Sequence, residues 1–380
     1  MSAIVSAPLA AEDLDRALRP FGESSMLPAA AYQADDVFAW EQRHLFAGSW
    51  VCIGRLADLT AQQAVPAGDI PVVVTVADGR ARAFANVCSH RGHELLITGE
   101  RVDRPAIVCP YHGWAYTVDG QLRTAPRMGE TFDKGRFGLV ELPVAHWHGW
   151  VFVNATGTAM DFAEHVGTLN RLVAPYEPGR LVVKARHDYT VRANWKIIAE
   201  NYHECYHCPM IHPELCAVTP PSSGENWHEP GQWLGGSMRL RDHAETMSFD
   251  GRSRATRLPG ADARTVRYLG LFPNLLISAH PDYVLTHRLV PRAAGQTLVE
   301  CAWLFDPAVT DPSFAVEFWD LTNRQDWAAC ESVQRGVSSP YFRPGPLAPN
   351  ENAIYDWVTM LARAYRDPVS ELGVRRVASA

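Results

Sequence analysis

Two short segments, Cys88-Ser89-His90 and Cys109-Pro110-Tyr111-His112, constrain this chain more than anything else in it. They read C-x-H and C-x-x-H, with eighteen residues between them. Two thiolates and two imidazoles from two loops make a metal site, and Gly92 and Gly113, just behind the histidines, suit tight metal-binding loops. With the thiolates on one iron and the imidazoles on the other, the set fits a [2Fe–2S] centre whose potential lies above that of all-cysteine clusters. Structural zinc is the rival, since Cys2His2 is a good tetrahedral set, but zinc usually prefers C-x-x-C pairing and gains nothing from the C-x-H order. The surrounding sequence suits short strands. Ile70 to Val76 is a β-branched run, Asp78-Gly79 and Asp119-Gly120 are hairpin turns, and Trp150 to Val153 follows Gly149 as a strand. The region around the four ligands therefore reads as a small all-β domain.

The chain is far longer than such a domain needs. With 380 residues, 47% of them hydrophobic, it has enough material for two ordinary cores. Its net charge of −7, with Lys and Arg scattered, excludes a basic face for nucleic acid. Met1 to Ala11 lacks the basic start of a signal peptide, and no run approaches the ~20 apolar residues of a membrane span, so a soluble cytoplasmic protein with no membrane partner is expected. In such a chain the remaining cysteines read as metal ligands or buried thiols rather than disulfides. No G-x-G-x-x-G fingerprint appears, so a nicotinamide cofactor would have to be used by another polypeptide.

The predicted organisation is α+β, in three parts: residues 1–47, an N-terminal arm and helix packing on the last part; 48–155, the all-β domain; and 156–380, an antiparallel sheet with helices. Helices are predicted over 34–47, 161–174, 194–207, 312–335 and 350–366, and strands over 181–191 and within 265–306. Residues 218–262, rich in Pro, Gly and Ser, read as a long loop.

A second metal site is suggested by Glu200-Asn-Tyr-His-Glu-Cys-Tyr-His-Cys-Pro-Met-Ile-His212. On a helix, Trp195, Ile198, Ala199, Tyr202 and Tyr206 share one face, while Glu200, His203, Glu204 and His207 share the other. Pro209 should end or distort that helix and let His212 return toward His207. A two-histidine site needs a carboxylate. In 312–335, Asp326 falls on a largely apolar stripe with Trp319, Thr322, Ala329, Cys330 and Val333. A buried carboxylate needs a partner, which iron, a backbone group or an arginine could supply. Cys205 and Cys208 read as buried thiols rather than a redox pair, and Asn201 either lines the pocket or is a surface amide.

These motifs resemble those of the Rieske non-heme iron oxygenase α-subunits, the ring-hydroxylating oxygenase family. The likeness rests on Cys88-Ser-His90-Arg-Gly, Cys109-Pro-Tyr-His112-Gly-Trp114, Glu204-x-x-His207-x4-His212 and Gln325-Asp326. It implies an all-β Rieske [2Fe–2S] domain followed by a helix-grip catalytic domain. Carried over, Cys88, His90, Cys109 and His112 hold the cluster, and His207, His212 and Asp326 hold a mononuclear Fe(II). Glu204 would bridge that iron to a neighbouring subunit's cluster in a head-to-tail homotrimer, and Asn201 would be an auxiliary residue of the iron pocket. Electrons from NAD(P)H would come through a separate flavin/iron-sulfur reductase, with O2 and a small molecule as substrates. Glutamate at the bridge resembles the branch acting on carnitine, choline, glycine betaine and proline betaine, where hydroxylation of an N-methyl group releases formaldehyde. Trp227, Trp233, Tyr202, Tyr268 and Tyr283 are available to cage a quaternary ammonium, or simply fill the core. The alternatives are an aromatic ring-hydroxylating dioxygenase and a Rieske electron carrier; a second ligand set argues against the carrier.

Overall fold

The computed structural model describes residues 6–368 of the chain. They divide into two compact units. One runs from Glu41 to Phe162; the other takes the described residues up to Trp40 together with those from Ala163 onward.

The first unit is all β apart from short turns of helix. Its largest sheet has five strands, in which Gln62–Ala67, Ile70–Ala77 and Arg80–Ala85 are consecutive antiparallel neighbours. The turn between the last two carries Asp78 and Gly79 at φ 51° and 70°, the doubly positive geometry that matches the strand twist. A small sheet of Ile107–Val108, Ala115–Tyr116 and Leu122–Thr124 carries the second cysteine–histidine segment. Around the two segments, Val73, Leu95, Leu96, Ile107, Trp114 and Tyr116 form a buried cluster that includes Cys88 and Cys109.

The second unit is built on a seven-stranded antiparallel sheet. Its strand order is Val182–Val191, Gln296–Phe305, Val284–Ala293, Leu275–Ala279, Thr265–Leu271, Trp233–Arg239 and Glu225–Trp227. Three longer helices, Trp195–Tyr202, Ser313–Val337 and Asn352–Arg366, belong to the same unit. Sheet and helices together give the expected α+β class.

Several boundaries differ from the sequence reading. The region 218–262 is not one loop, because its end strands Glu225–Trp227 and Trp233–Arg239 extend the sheet; Gly235 and Gly236 lie where the neighbouring backbones leave no room for a side chain, so a glycine pair that reads as loop is a strand. The helix predicted over 34–47 is regular only over Asp35–Glu41 and then widens, with Ala47 N–H donating to the Gln42 carbonyl. Residues 161–174 break into Phe162–Val166 and Leu169–Val173 at Gly167, which has φ 51°. The largest correction is at 194–207: the helix stops at Tyr202. Pro209 does not end it; Pro209 sits in the first turn of a new helix, Cys208–Ile211, where its missing N–H costs nothing.

Candidate metal centres

The cluster candidates sit in two loops built alike. Cys88 N–H donates to the His93 carbonyl (2.8 Å) and Gly92 N–H to the Cys88 carbonyl (2.9 Å). Cys109 and Gly113 repeat the pattern with Trp114 (2.8 Å) and Cys109 (3.1 Å). Gly92 and Gly113 take φ of 75° and 73°, which ordinary side chains disfavour. The two loops thereby bring two thiols and two imidazoles together. Cys88 and Cys109 are each 2% exposed, and the Cys109 thiol is pushed up by burial and further by its hydrogen bond with Cys88. A cation shared by the two sulfurs removes that penalty. The His90 and His112 rings lie 4.7 Å apart, and His90 Nδ1 is buried with no partner. Paired thiols beside paired imidazoles fit a Rieske cluster. Around them, Trp114 stacks on His90 at 4.6 Å, and the Tyr116 hydroxyl lies 3.1 Å from Cys88 Sγ.

In the other unit, His207, His212 and Asp326 offer ligand atoms that all lie within 4.8 Å of one another. His212 Nε2 is 2.9 Å and His207 Nε2 3.4 Å from Asp326 Oδ1. Each imidazole is held from behind through its other nitrogen. His207 Nδ1 bonds to Glu204 Oε1, and His212 Nδ1 donates to Gln325 Oε1 at 2.7 Å. Such outer bonds fix the tautomer and aim Nε2 at a metal. Burial opposes charge on His207, but its hydrogen bonds to the Asp326 and Glu204 carboxylates outweigh it and hold its pKa up at about 10. Burial would raise Asp326, and the same histidines pull it below the ordinary carboxylate range. The electrostatics ask for positive charge at this point, which protons or a divalent ion can supply. Two imidazoles and a carboxylate with outward positions open fit a mononuclear non-heme iron.

The break at Tyr202 changes how these residues are delivered. Glu204 and His207 do not share a helical face; a turn over 203–207 carries them, and Glu204 also accepts from the backbone N–H groups of Tyr206 and His207. That turn also brings Cys205 and Cys208 together as a disulfide with Cα atoms 4.9 Å apart, correcting their reading as helix-borne buried thiols. On the helix Ser313–Val337, Trp319, Thr322 and Cys330 are buried as the stripe requires, but Val333 is 48% exposed and Gln334 is buried instead. Gln334 is drawn in because its side-chain oxygen caps Asn194 N–H at 2.8 Å.

Beside the triad lies a cavity of about 120 Å³. Asn201, Tyr202 and Tyr268 line it, as do Trp319 and Trp327; Trp227, Trp233 and Tyr283 do not. Two of the displaced candidates are spoken for elsewhere: Tyr283, fully buried, donates to the Met247 carbonyl, and Trp233 to that of Pro230. Among the described residues, Glu204 and Asp326 are the carboxylates of the lining, and neither Lys nor Arg contributes to it. Sequence reasoning missed Trp327 and the orienting role of Gln325, although both flank Asp326 in the chain.

An all-β unit with paired Cys–His loops and a sheet-and-helix unit with a two-histidine, one-carboxylate site together define a Rieske-type non-heme iron oxygenase. Family comparison agrees: residues 49–143 match the Rieske [2Fe-2S] domain, and residues 178–367 match the ring hydroxylating alpha subunit catalytic domain. The chain belongs to the ring-hydroxylating oxygenase α-subunit family and is an oxidoreductase. It is 33% identical to the glycine betaine monooxygenase oxygenase subunit of Chromohalobacter salexigens, covering 89% of this chain and 86% of that one. It is 36% identical to the carnitine monooxygenase oxygenase subunit of Escherichia coli K12, covering 91% and 95%. Among solved structures, a quaternary ammonium Rieske monooxygenase shares the fold with a TM-score of 0.77 at 23% identity, over 96% of this chain and all (100%) of that one. Naphthalene 1,2-dioxygenase from Rhodococcus sp. does so at 0.75 and 19% identity, over 95% and 98%. As an oxygenase subunit the chain works with a reductase partner and O2. Among the described residues no helix is long and apolar enough to cross a membrane.

Proposed function

We propose that this chain is the oxygenase component of a two-component monooxygenase that hydroxylates an N-methyl group of a small quaternary ammonium compound. One observation carries the reading: among the described residues, the cavity beside the histidine–carboxylate triad has aromatic walls and two carboxylates, and no Lys or Arg. Aromatic faces attract a cation that offers no hydrogen bonds, and the carboxylates favour the ammonium end of a substrate at this place. Tyr202, Tyr268, Trp319 and Trp327 hold the ammonium head beside the metal position. Iron at His207, His212 and Asp326, fed through a cluster on Cys88, His90, Cys109 and His112, supplies the oxygen chemistry when bound. The balance is one methyl C–H, O2, two electrons and two protons giving C–OH and water. The hydroxymethyl ammonium then loses its hydroxyl proton, its C–N bond breaks toward nitrogen, and formaldehyde leaves. Residues 48–155 serve electron transfer and 156–380 catalysis, and the protein works in the cytoplasm.

The test is turnover with a surrogate reductase, following O2 uptake and formaldehyde. Carnitine, choline, glycine betaine and proline betaine are compared with naphthalene. Formaldehyde matched to O2 with one of the four supports the reading. Turnover of naphthalene alone overturns it in favour of ring dioxygenation.

For assembly, we infer a head-to-tail trimer in which Glu204 accepts a hydrogen bond from a cluster histidine of the neighbouring subunit; a heterologous interface closes into such a ring. Glu204 already touches His207, so one carboxylate reaches both partners. Cys109→Ser and Asp326→Ala chains should each be dead alone and active when co-assembled. Inactive hetero-trimers would refute transfer between subunits.

A further inference from the structure

Of the three residues that would hold the iron, His207 has the least protein around it. Asp326 stands within the 25-residue helix Ser313–Val337, and His212 is 1% exposed. His207 closes the turn 203–207, between the end of one helix at Tyr202 and the start of the next at Cys208. Burial does little to fix the outer side of that turn, because Tyr206 is 61% and Met210 87% exposed.

Bonds hold it instead. The Glu204 carboxylate accepts the N–H groups of Tyr206 and His207. The Cys208 N–H meets the Cys205 carbonyl only at 3.3 Å, a long hydrogen bond. The strongest tie is covalent: the Cys205–Cys208 disulfide closes a ring that contains Tyr206 and His207, so the ligand stands inside the loop. Both cysteines line the iron cavity. Cys208 Sγ lies 4.0 Å from His207 Nε2, the nitrogen turned toward Asp326.

We propose that the Cys205–Cys208 bond is a redox-dependent clamp on this ligand, so that iron affinity and the thiol–disulfide state of the pair are linked. In the cytoplasm, where this chain is proposed to work, a disulfide is the exception and usually responds to redox conditions. A bond closing four residues removes chain freedom equivalent to a factor of about 20. Once the bond is reduced, the turn recovers that freedom and iron has to suppress it again, so the reduced protein holds iron less tightly. Linkage is reciprocal: bound iron makes the disulfide harder to reduce by the same factor. The reductant is a cytoplasmic monothiol of the glutathione kind. Two of its thiols supply two electrons and two protons, the S–S bond breaks, two cysteine thiols form, and the monothiol leaves as its own disulfide. The metal does not change oxidation state. The inference rests on iron at the triad and is independent of which compound is oxidised.

The test uses the protein loaded with cluster and iron, under anaerobic conditions, and reads iron and sulfur separately. A graded chelator challenge compares untreated protein with protein reduced by a phosphine, the thiols being counted by alkylation and intact mass. The reduced protein should release iron at about a fifth to a twentieth of the chelator concentration. Cys205→Ser, Cys208→Ser and the double variant should match it and one another, and should ignore the phosphine, because each loses the same single bond; separate roles for the two thiols would add in the double variant. In glutathione redox buffers, the pair should be harder to reduce in the iron-loaded protein than after removal of the third iron, by about 30 mV for each tenfold of linkage. The visible spectrum of the cluster reports folding, and if the serine variants lose it, the phosphine-treated parent decides. Four results overturn the clamp: equal iron retention before and after reduction, tighter retention after it (which would make Cys208 a ligand), a bond that opens only with loss of the cluster, or a thiol equilibrium blind to iron. If the parent holds no iron beyond its cluster, the reading of the triad falls and takes this one with it.

Discussion

Replacing Gln325 by leucine isolates the support of a single ligand. His212 is 1% exposed, and its Nδ1 donates to Gln325 Oε1 at 2.7 Å. Water cannot take over that acceptor role in so closed a place. Leucine is close to glutamine in volume, so packing changes little, but the Nδ1–H is orphaned at a cost of about 1–3 kcal/mol. That cost is relieved only if the ring turns or shifts its proton, and either move spoils the aim of Nε2. Loss of a metal ligand's outer partner typically costs about ten- to a hundredfold in metal affinity, or roughly 1.4–2.8 kcal/mol. Gln325 also approaches Glu214, at 3.4 Å, too long to add much. The assay is iron retention under a graded chelator challenge, with the visible spectrum of the cluster as internal control. Gln325→Leu should release iron at about a tenth to a hundredth of the chelator concentration needed for the parent. Gln325→Glu, which keeps an acceptor, should stay close to the parent. Equal retention by the leucine variant would refute the reasoning that orientation through Nδ1 matters.

Other consequences follow from particular contacts. The Tyr116 hydroxyl beside Cys88 Sγ stabilises the extra electron of a reduced cluster, so Tyr116→Phe should lower the reduction potential by something on the order of tens of millivolts, read by redox titration; an unchanged potential contradicts it. Glu200, bonded to Tyr32 at 2.8 Å, is raised by burial from 4.5 to about 8. A raised carboxyl contributes stability that is full below 4.5 and is lost as pH climbs through about 8, so the melting temperature should fall across that window and Glu200→Gln should flatten the fall. The same slope in the variant would sink this. The Cys205–Cys208 disulfide makes the unreduced protein two hydrogens lighter by intact mass than after reduction, and peptide mapping should place the link across His207; free thiols at both positions under oxidising conditions would contradict the bond.

The residues most legible in the sequence are those whose geometry is local. Cys88 with His90, and Cys109 with His112, are set by loops of a few residues whose glycines are visible in the chain. Asp326 was reachable because a 25-residue helix keeps its period, although the stripe ended wrongly at Val333. What failed depends on contacts distant in sequence. Nothing in the run from Glu200 to His212 announces that its helix stops at Tyr202, yet that break shapes the turn holding Glu204 and closes Cys205 on Cys208. The aromatic wall was partly right: Tyr202 and Tyr268 line the cavity, while Trp319 and Trp327, both on the helix Ser313–Val337, line it where Trp227, Trp233 and Tyr283 do not.

Metal content of the anaerobically purified protein tests the central claim most directly. A Rieske oxygenase holds the two irons of its cluster and one more, with a Rieske EPR signal on reduction. Asp326→Ala should lose only the additional iron and all turnover while keeping the visible spectrum, and Cys109→Ser should lose the signal. A colourless protein containing zinc, or one whose iron stops at the cluster in the parent and in Asp326→Ala alike, would contradict the account.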